Sequence, residues 1–546
     1  MHILILAFVG IVFVIIYSWL YSGIEPKFSS PDETANYFFT NLFANESQLK
    51  YYEPLNQLVD GVVMPRSMGF VDGYTVPSSF LGMIIIFGLI AKVLGTGIIL
   101  LLTPIFSVIG VIFFYLLLKN IFTKNIAFIS SLLLFFLPTY WLYSSRGMFH
   151  NILFISLLII GFYYLVLLLR GKASNKKMIL FSSLSGFFLG LSIITRMSEI
   201  VWVGLIVLVL LVYKRNKLDW KLIVSFLVPV VLLLGTLITI NYQIYGGPLP
   251  ATYSSQLVES SVTASSSSNL IKTIGNLIFP FGLNFELIGK ALHQYLVLIF
   301  PWYSILLLTS IIWFCKNVIF SKVSKIFPEV KKFANDVPKK IIIYFLTFLI
   351  MSVWLILYYG SFEFYEYIDK TKIIFSSSYL RYWLPIYIFG IPLLVMGVVN
   401  IASLFKSKRA AKLVTFLLII GFVYFSLATT IVDPLHGISQ VKRNNIRSLE
   451  ISTEINDITS TDSIIISGFA DKVFFPERKV VVELPGDARN KAKVLSVLLD
   501  NTTVYYYHSM LDNDSVKTIE ELKKLNVRFN KINQFEDDYT ILYQLQ

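Results

Sequence analysis

The sequence predicts a polytopic α-helical membrane protein of about eleven transmembrane helices, followed by a small C-terminal α/β domain outside the cytoplasm. Three observations carry that expectation. Apolar residue types make up 56% of the 546 residues and charged ones only 14%, a balance that ordinary soluble domains do not show. Apolar runs long enough to cross a bilayer recur down most of the chain. Beyond about residue 432 those runs stop, and short strand-like stretches alternate with polar helical ones.

The spans read as 1–21, 97–118, 125–144, 150–170, 178–195, 199–213, 221–241, 293–315, 341–360, 382–404 and 411–432. The first lacks a basic leader and a small-residue cleavage site, so it is expected to be retained as a helix. Basic residues collect in the short loops Lys119–Lys124, Arg170–Lys177, Lys214–Lys217, Lys316–Lys340 and Lys406–Lys412. Loops of that kind stay on the cytoplasmic side. A further apolar stretch, Val76 to Leu94, would reverse the sidedness of every later basic loop if it crossed. It is therefore read as a helix lying along the outer interface, with Gly95 and Gly97 turning the chain into the next span.

This parity makes the chain a multi-pass protein of the cell membrane, N-terminus cytoplasmic and C-terminal domain extracytoplasmic. Segments 22–96, 242–292 and 361–381 then face outward, and the serine-rich run Ser260–Ser268 reads as a flexible gate. The expected domains are 1–432, containing the membrane part with its first outer loop 22–96, and the soluble tail 433–546. In the tail, strands are expected at Ser463–Ser467, Val480–Val482, Thr503–Tyr507, Val527–Ile532 and Tyr539–Leu545, and helices at Arg489–Leu499 and Ser515–Leu525.

The formal charge of +13 does not signal nucleic acid. Acidic residues slightly outnumber basic ones in the tail, so the excess belongs to the membrane part and its loops. The single cysteine, Cys315, excludes an intrachain disulfide. Five dispersed histidines and no paired-cysteine spacing leave a catalytic zinc site unsupported, and no phosphate loop or nucleophile elbow stands in a usable context. No cofactor is expected. A divalent ion on two neighbouring carboxylates is the one open possibility.

Those carboxylates are Asp32 and Glu33, in Ser29-Ser30-Pro31-Asp32-Glu33-Thr34 just beyond the first span. One reading is a helix cap, with Asp32 preceding a helix that starts at Glu33. The other is a base held at the membrane surface. The same outer side is expected to gather Arg66, Arg146, His150, Arg196, Glu199 and Arg381. Ionisable residues at such depth point to function, and guanidinium groups at a dry interface suit the phosphate of a lipid carrier. Snorkelling toward lipid headgroups is the alternative for any one arginine.

Several short motifs, in this order, resemble those of GT-C integral membrane glycosyltransferases, nearest the protein-mannosyltransferase-like family 39 group. They are Pro31-Asp32-Glu33 opening the first outer loop, the interfacial helix after Val76-Pro77, and Tyr143 to Arg146 ending the third span. Gly190 to Arg196 ending the fifth, Gly246-Gly247-Pro248-Leu249, and Arg381-Tyr382-Trp383-Leu384-Pro385 follow. The tail, with Asp471 to Arg478, is similar to tails of prokaryotic and especially archaeal members. Members often carry an acidic residue about four positions after the arginine ending the third span, where this chain has His150 and Asn151.

The resemblance implies an inverting transfer of a sugar from a polyprenyl- or dolichyl-phosphate donor to a protein or lipid-linked glycan acceptor outside the cytoplasm. Asp32, aided by Glu33, would take the acceptor proton. Arg381, Arg146, Arg196 and Arg66 would hold the donor phosphate, and His150 and Tyr382 would touch the acceptor. Expected partners are thus the lipid-linked donor, the acceptor and membrane lipids, with no nucleic acid. A transporter, flippase or polymerase of lipid-linked saccharides is the alternative, although a transporter would favour charges at mid-membrane.

Overall fold

The computed structural model describes residues 1–171, 173–217, 219–250, 279, 282–323, 337–362, 378–432, 437–509, 513–524, 526–535 and 540–546. Ser260–Ser268 lies outside them. Among the described residues, eight helices are long and apolar enough to cross a membrane, and ten if two bent pairs each count as one span. The expected span 199–213 is the shorter apolar helix Met197–Tyr213, and Leu81–Leu94 is likewise too short for that measure. The protein is a multi-pass membrane protein.

Local chemistry explains where these helices begin and break. Pro138, at the first position of Pro138–Ser145, cannot donate a helical N–H. The expected span 125–144 accordingly splits after Lys124–Phe136, with a 54° bend. Pro301 similarly opens Pro301–Val323, and the chain bends by 100° between it and the preceding helical segment Phe285–Leu298. Gly171 ends His150–Arg170 at φ +60°, the left-handed conformation that glycine adopts without a side-chain clash. Gly95, at φ +90°, separates Leu81–Leu94 from the helix that follows.

Between Asn175–Thr195 and Trp220–Tyr245 the backbones approach closely. A Cβ on Gly186 would lie 2.0 Å from the Phe226 carbonyl oxygen, and one on Gly190 would lie 2.9 Å from Leu233 Cδ1. One turn away, Ser182 Oγ donates to the Leu222 carbonyl at 2.6 Å. Small residues four apart let membrane helices gain dispersion contact that water cannot drive there. Gly186→Leu is therefore expected to destabilise the detergent-solubilised protein by about 3 kcal/mol or more. Gly204→Ala, a position open to space, should be neutral. Thermal unfolding of the two variants makes the comparison, and equal midpoints would contradict the packing assignment.

The chain divides into two compact units. One contains Met1–Leu20, Leu101–Thr236 and Leu257–Gln440; the other contains Tyr21–Leu100, Leu237–Gln256 and Val441–Gln546. The boundary does not coincide with the linear division at residue 432, because the segment after the first span and the tail are one body. In that body a five-stranded sheet has the order Lys479–Val481, Ile464–Ile466, Val504–Ser509, Thr540–Leu545, Phe529–Gln534. Its first three strands run parallel and the last two pair antiparallel. The helices Ala488–Asn501 and Asn513–Lys524 complete the α/β tail.

Leu55, Val59 and Val63 of the outer segment share a core with Ile464, Ile466, Val481 and Leu498 of the tail. Burying such side chains stabilises by about 1.5–3 kcal/mol each, so the association is part of the fold. Two elements here went beyond the sequence reading. One is the hairpin Met68–Val71 with Tyr74–Pro77, turned by Asp72 and Gly73 at φ +48° and +87°; an Asp-Gly pair between alternating apolar residues is its signal. The other is the long helix Ile438–Ile458.

Candidate functional site

In the unit holding the tail, the helix Pro31–Glu46 begins at Pro31, earlier than expected. Its cap is Ser30, whose Oγ accepts from the Asp32 N–H at 3.3 Å. The cap assignment for Asp32 is thus corrected, since a serine two positions earlier takes that role. The Asp32 side chain instead accepts a 2.5 Å hydrogen bond from Ser67 Oγ. Both acidic residues lie in the first helical turn, where the positive end of the helix dipole favours negative charge. Glu33 is wholly buried and accepts from the Tyr21 hydroxyl at 3.3 Å. Asp32 is only half-buried, so it is the member of the pair that a solute can reach.

Ser67 sits at φ +64°, a left-handed conformation uncommon for serine and maintained only when neighbours enforce it. The neighbours are visible. Asp471 of the tail accepts from the Arg66 backbone N–H at 2.7 Å, and its other oxygen accepts from the guanidinium at 2.6 and 3.1 Å. The Phe469 carbonyl accepts from the same guanidinium at 2.8 Å. Arg66, expected among the phosphate-holding cations, thus has its charge met by a carboxylate that is 0% exposed. Its position next to Ser67 makes it a support for Asp32.

Removing one member of a buried pair strands the other. Arg66→Met is therefore expected to lower stability by about 3 kcal/mol or more, read as a depressed unfolding midpoint of the purified protein. A midpoint unchanged by the substitution would show that the Asp471 contact carries no weight.

In the other unit, three of the expected arginines come together. Arg146, 2% exposed, and Arg381 stand on the same ring, 4.6 and 4.5 Å from the centre of Phe149. Arg381 and Arg196 in turn lie 5.1 and 5.3 Å from the centre of Tyr382. Aromatic faces can hold guanidinium groups this way without neutralising them. Three helix breaks deliver these residues: Arg146 ends Pro138–Ser145, Arg196 ends Asn175–Thr195, and Arg381 lies in the short 3-10 turn Tyr379–Trp383.

Arg196 is the anchored member. It donates to Glu199 at 2.7 and 3.1 Å and to the Tyr359 hydroxyl at 2.9 Å. Glu199 also accepts from Tyr359 at 2.6 Å and from the Trp202 indole at 2.5 Å. Burial works against the Arg196 charge, and the Glu199 carboxylate beside it offsets that penalty. Tyr382 stacks on Tyr359 with ring centres 4.4 Å apart and accepts from Arg381 at 3.2 Å. Asn151, where an acidic residue was looked for, donates from Nδ2 to the Arg381 carbonyl at 3.1 Å. Beside it, His150 opens the helix His150–Arg170, 6% exposed.

Sequence reasoning missed Ser67, Asp471, Phe149, Tyr359 and Trp202 as parts of these constellations. Ser67, Asp471 and Tyr359 act across long chain separations, whereas Phe149 and Trp202 lie only three residues from Arg146 and Glu199. Among the described residues, no three His, Cys, Asp or Glu side chains gather where they could hold a metal ion.

No protein-family model matches the sequence, and no curated protein matches it. Solved structures do match. ArnT from Cupriavidus metallidurans bound to undecaprenyl phosphate is similar at TM-score 0.52 and 10% identity, over 99% of this chain and 97% of that one. The Archaeoglobus fulgidus oligosaccharyltransferase tethered to an acceptor peptide containing the NVT sequon is similar at TM-score 0.54 and 11% identity, over 99% and 73%. The same oligosaccharyltransferase in complex with Zn and sulfate gives 0.54 and 10%, over 93% and 68%. At these identities the likeness establishes fold.

Proposed function

From a chain that has the GT-C fold of integral membrane glycosyltransferases, we propose that it transfers a sugar from a polyprenyl- or dolichyl-phosphate donor to an acceptor outside the cytoplasm. The observation that carries this reading is the convergence of Arg146, Arg196 and Arg381 on two shared aromatic rings. Guanidinium groups gathered within reach of one another match the several oxygens of a phosphate, and a lipid-linked phosphate is an anion found at a membrane surface. One structure of similar fold holds undecaprenyl phosphate and another holds an acceptor peptide, which supports the same pair of substrates here.

In the proposed reaction the acceptor oxygen attacks the anomeric carbon and gives its proton to Asp32, oriented by Ser67. The bond from the anomeric carbon to the phosphate oxygen breaks, and the lipid phosphate leaves with the electron pair. Arg146, Arg196 and Arg381 stabilise the charge it gains. A single displacement inverts the sugar. The leaving group is already an anion, so it needs no general acid opposite the base, unlike the glycosidase case. Glu33 supports the acceptor side, and His150 and Tyr382 are the proposed acceptor contacts. Arg66 is assigned to Asp471 instead. Asp32 is assigned as a base.

This reading places the N-terminus in the cytoplasm and the tail outside. It is supported by the helix His150–Arg170, whose start lies with the arginine cluster while its end carries a loop cation. Membranes offered a radiolabelled polyprenyl-phosphate sugar test the function. Label should appear in an acceptor with the native protein and not with Asp32→Asn. Label that crosses the membrane untransferred, indifferently to Asp32→Asn, would replace the transferase by a transporter.

A further inference from the structure

Away from the arginine cluster, the first unit contains a cavity of about 400 Å³ between helices, within the range of sites that hold small ligands. Its lining is almost entirely apolar, except at one end. There Arg170, Lys214 and Lys340 meet beside Asn120. Arg170 hydrogen-bonds Asn120 Oδ1, and Lys340 Nζ reaches the Asn120 carbonyl at 3.5 Å. These three cations come from three separate basic loops, so the fold has gathered them at a single mouth. The far end is closed by Trp202, fully buried and tied to Glu199 through its indole N–H.

The dimensions narrow the occupant. Trp202, Ile206, Leu210 and Tyr213 line the cavity along one face of a single helix. The eleven steps from Trp202 to Tyr213 rise about 17 Å, close to half of the roughly 30 Å hydrocarbon thickness of a bilayer. The cavity is therefore one leaflet deep, apolar along its length and cationic at its surface end. Basic pockets between membrane helices bind anionic lipid headgroups, each nearby cation strengthening the attraction. A free inorganic anion would have no use for the apolar shaft.

We propose that this cavity binds an anionic phospholipid, its headgroup phosphate held by Arg170, Lys214 and Lys340 and one acyl chain laid along the shaft to Trp202. The site meets the arginine cluster through Trp202, and its lipid binding does not depend on the proposed transfer chemistry. Binding is measured on the full-length protein by native mass spectrometry and by retention of fluorescent lipid, with phosphatidylglycerol against phosphatidylcholine. The native protein should prefer phosphatidylglycerol by about tenfold or more. The triple variant Arg170→Gln, Lys214→Gln, Lys340→Gln should bind both alike, and Ile206→Trp, which fills the shaft, should lose both. Lys214→Arg with Lys340→Arg should keep the preference, which separates lost charge from lost folding. Equal binding of the two lipids by native protein, or a preference surviving the triple variant, overturns the proposal. So does displacement of bound phosphatidylglycerol by inorganic phosphate alone, or by equimolar polyprenyl phosphate, which would make the cavity an anion site or a donor site.

Discussion

Asp32→Asn is expected to lower sugar transfer by about a hundredfold to ten-thousandfold, the range lost with a general base. The substitution keeps size and shape, and an amide oxygen can still accept from Ser67 Oγ, which now bonds Asp32 at 2.5 Å. Folding should thus be unchanged, and the unfolding midpoint should stay with the native value. The loss should fall on kcat, because the missing group acts as the acceptor proton departs and contributes little to holding the donor. Ser67→Ala provides a graded companion. It leaves the carboxylate but removes its orienting bond, so a smaller loss is expected. Should Asp32→Asn transfer sugar at the native rate with a normal midpoint, the base lies elsewhere.

Arg381→Ala is the second large effect. Arg381 stands between the other two cations, sharing Phe149 with Arg146 and Tyr382 with Arg196. Its removal takes away charge stabilisation at the leaving phosphate, for which losing one preorganised donor costs about a hundredfold to a thousandfold. Arg215→Ala, in the basic loop Lys214–Lys217, should leave kcat/KM for the donor within about twofold, as an exposed surface change does. Arg381→Lys should recover part of the activity, since an ammonium supplies charge without the planar two-point geometry. Equal kinetics for Arg381→Ala and Arg215→Ala would remove the cluster from the phosphate.

The parts of this architecture written in local pattern were legible in the sequence. Span lengths follow from apolar run length, and the tail strands at Ile464–Ile466 and Val504–Ser509 follow from β-branched and aromatic runs between turns. Arg146, Arg196 and Arg381 could be singled out because a guanidinium ending an apolar run is costly there. Their meeting on Phe149 and Tyr382 could not be read: Tyr382 stood out only as an acceptor contact within its motif, and Phe149 is one aromatic among many in the spans. Asp32 was legible by its place after Pro31, whereas Ser67 depends on a left-handed backbone enforced by Asp471, roughly four hundred positions away. The Asp72-Gly73 hairpin is different in kind: its signal was local and went unread.

The salt link from Asp471 to Arg66, together with the core that Val63 shares with Ile466 and Val481, has a practical consequence for exchanging parts between relatives. Grafting a foreign C-terminal module at residue 432 would leave Leu55, Val59 and Val63 facing a surface they were not shaped for, and Arg66 without its carboxylate. A working chimaera has to exchange 21–100 and 441–546 as a pair, so whatever preference this unit confers is inherited through two distant stretches of the gene at once.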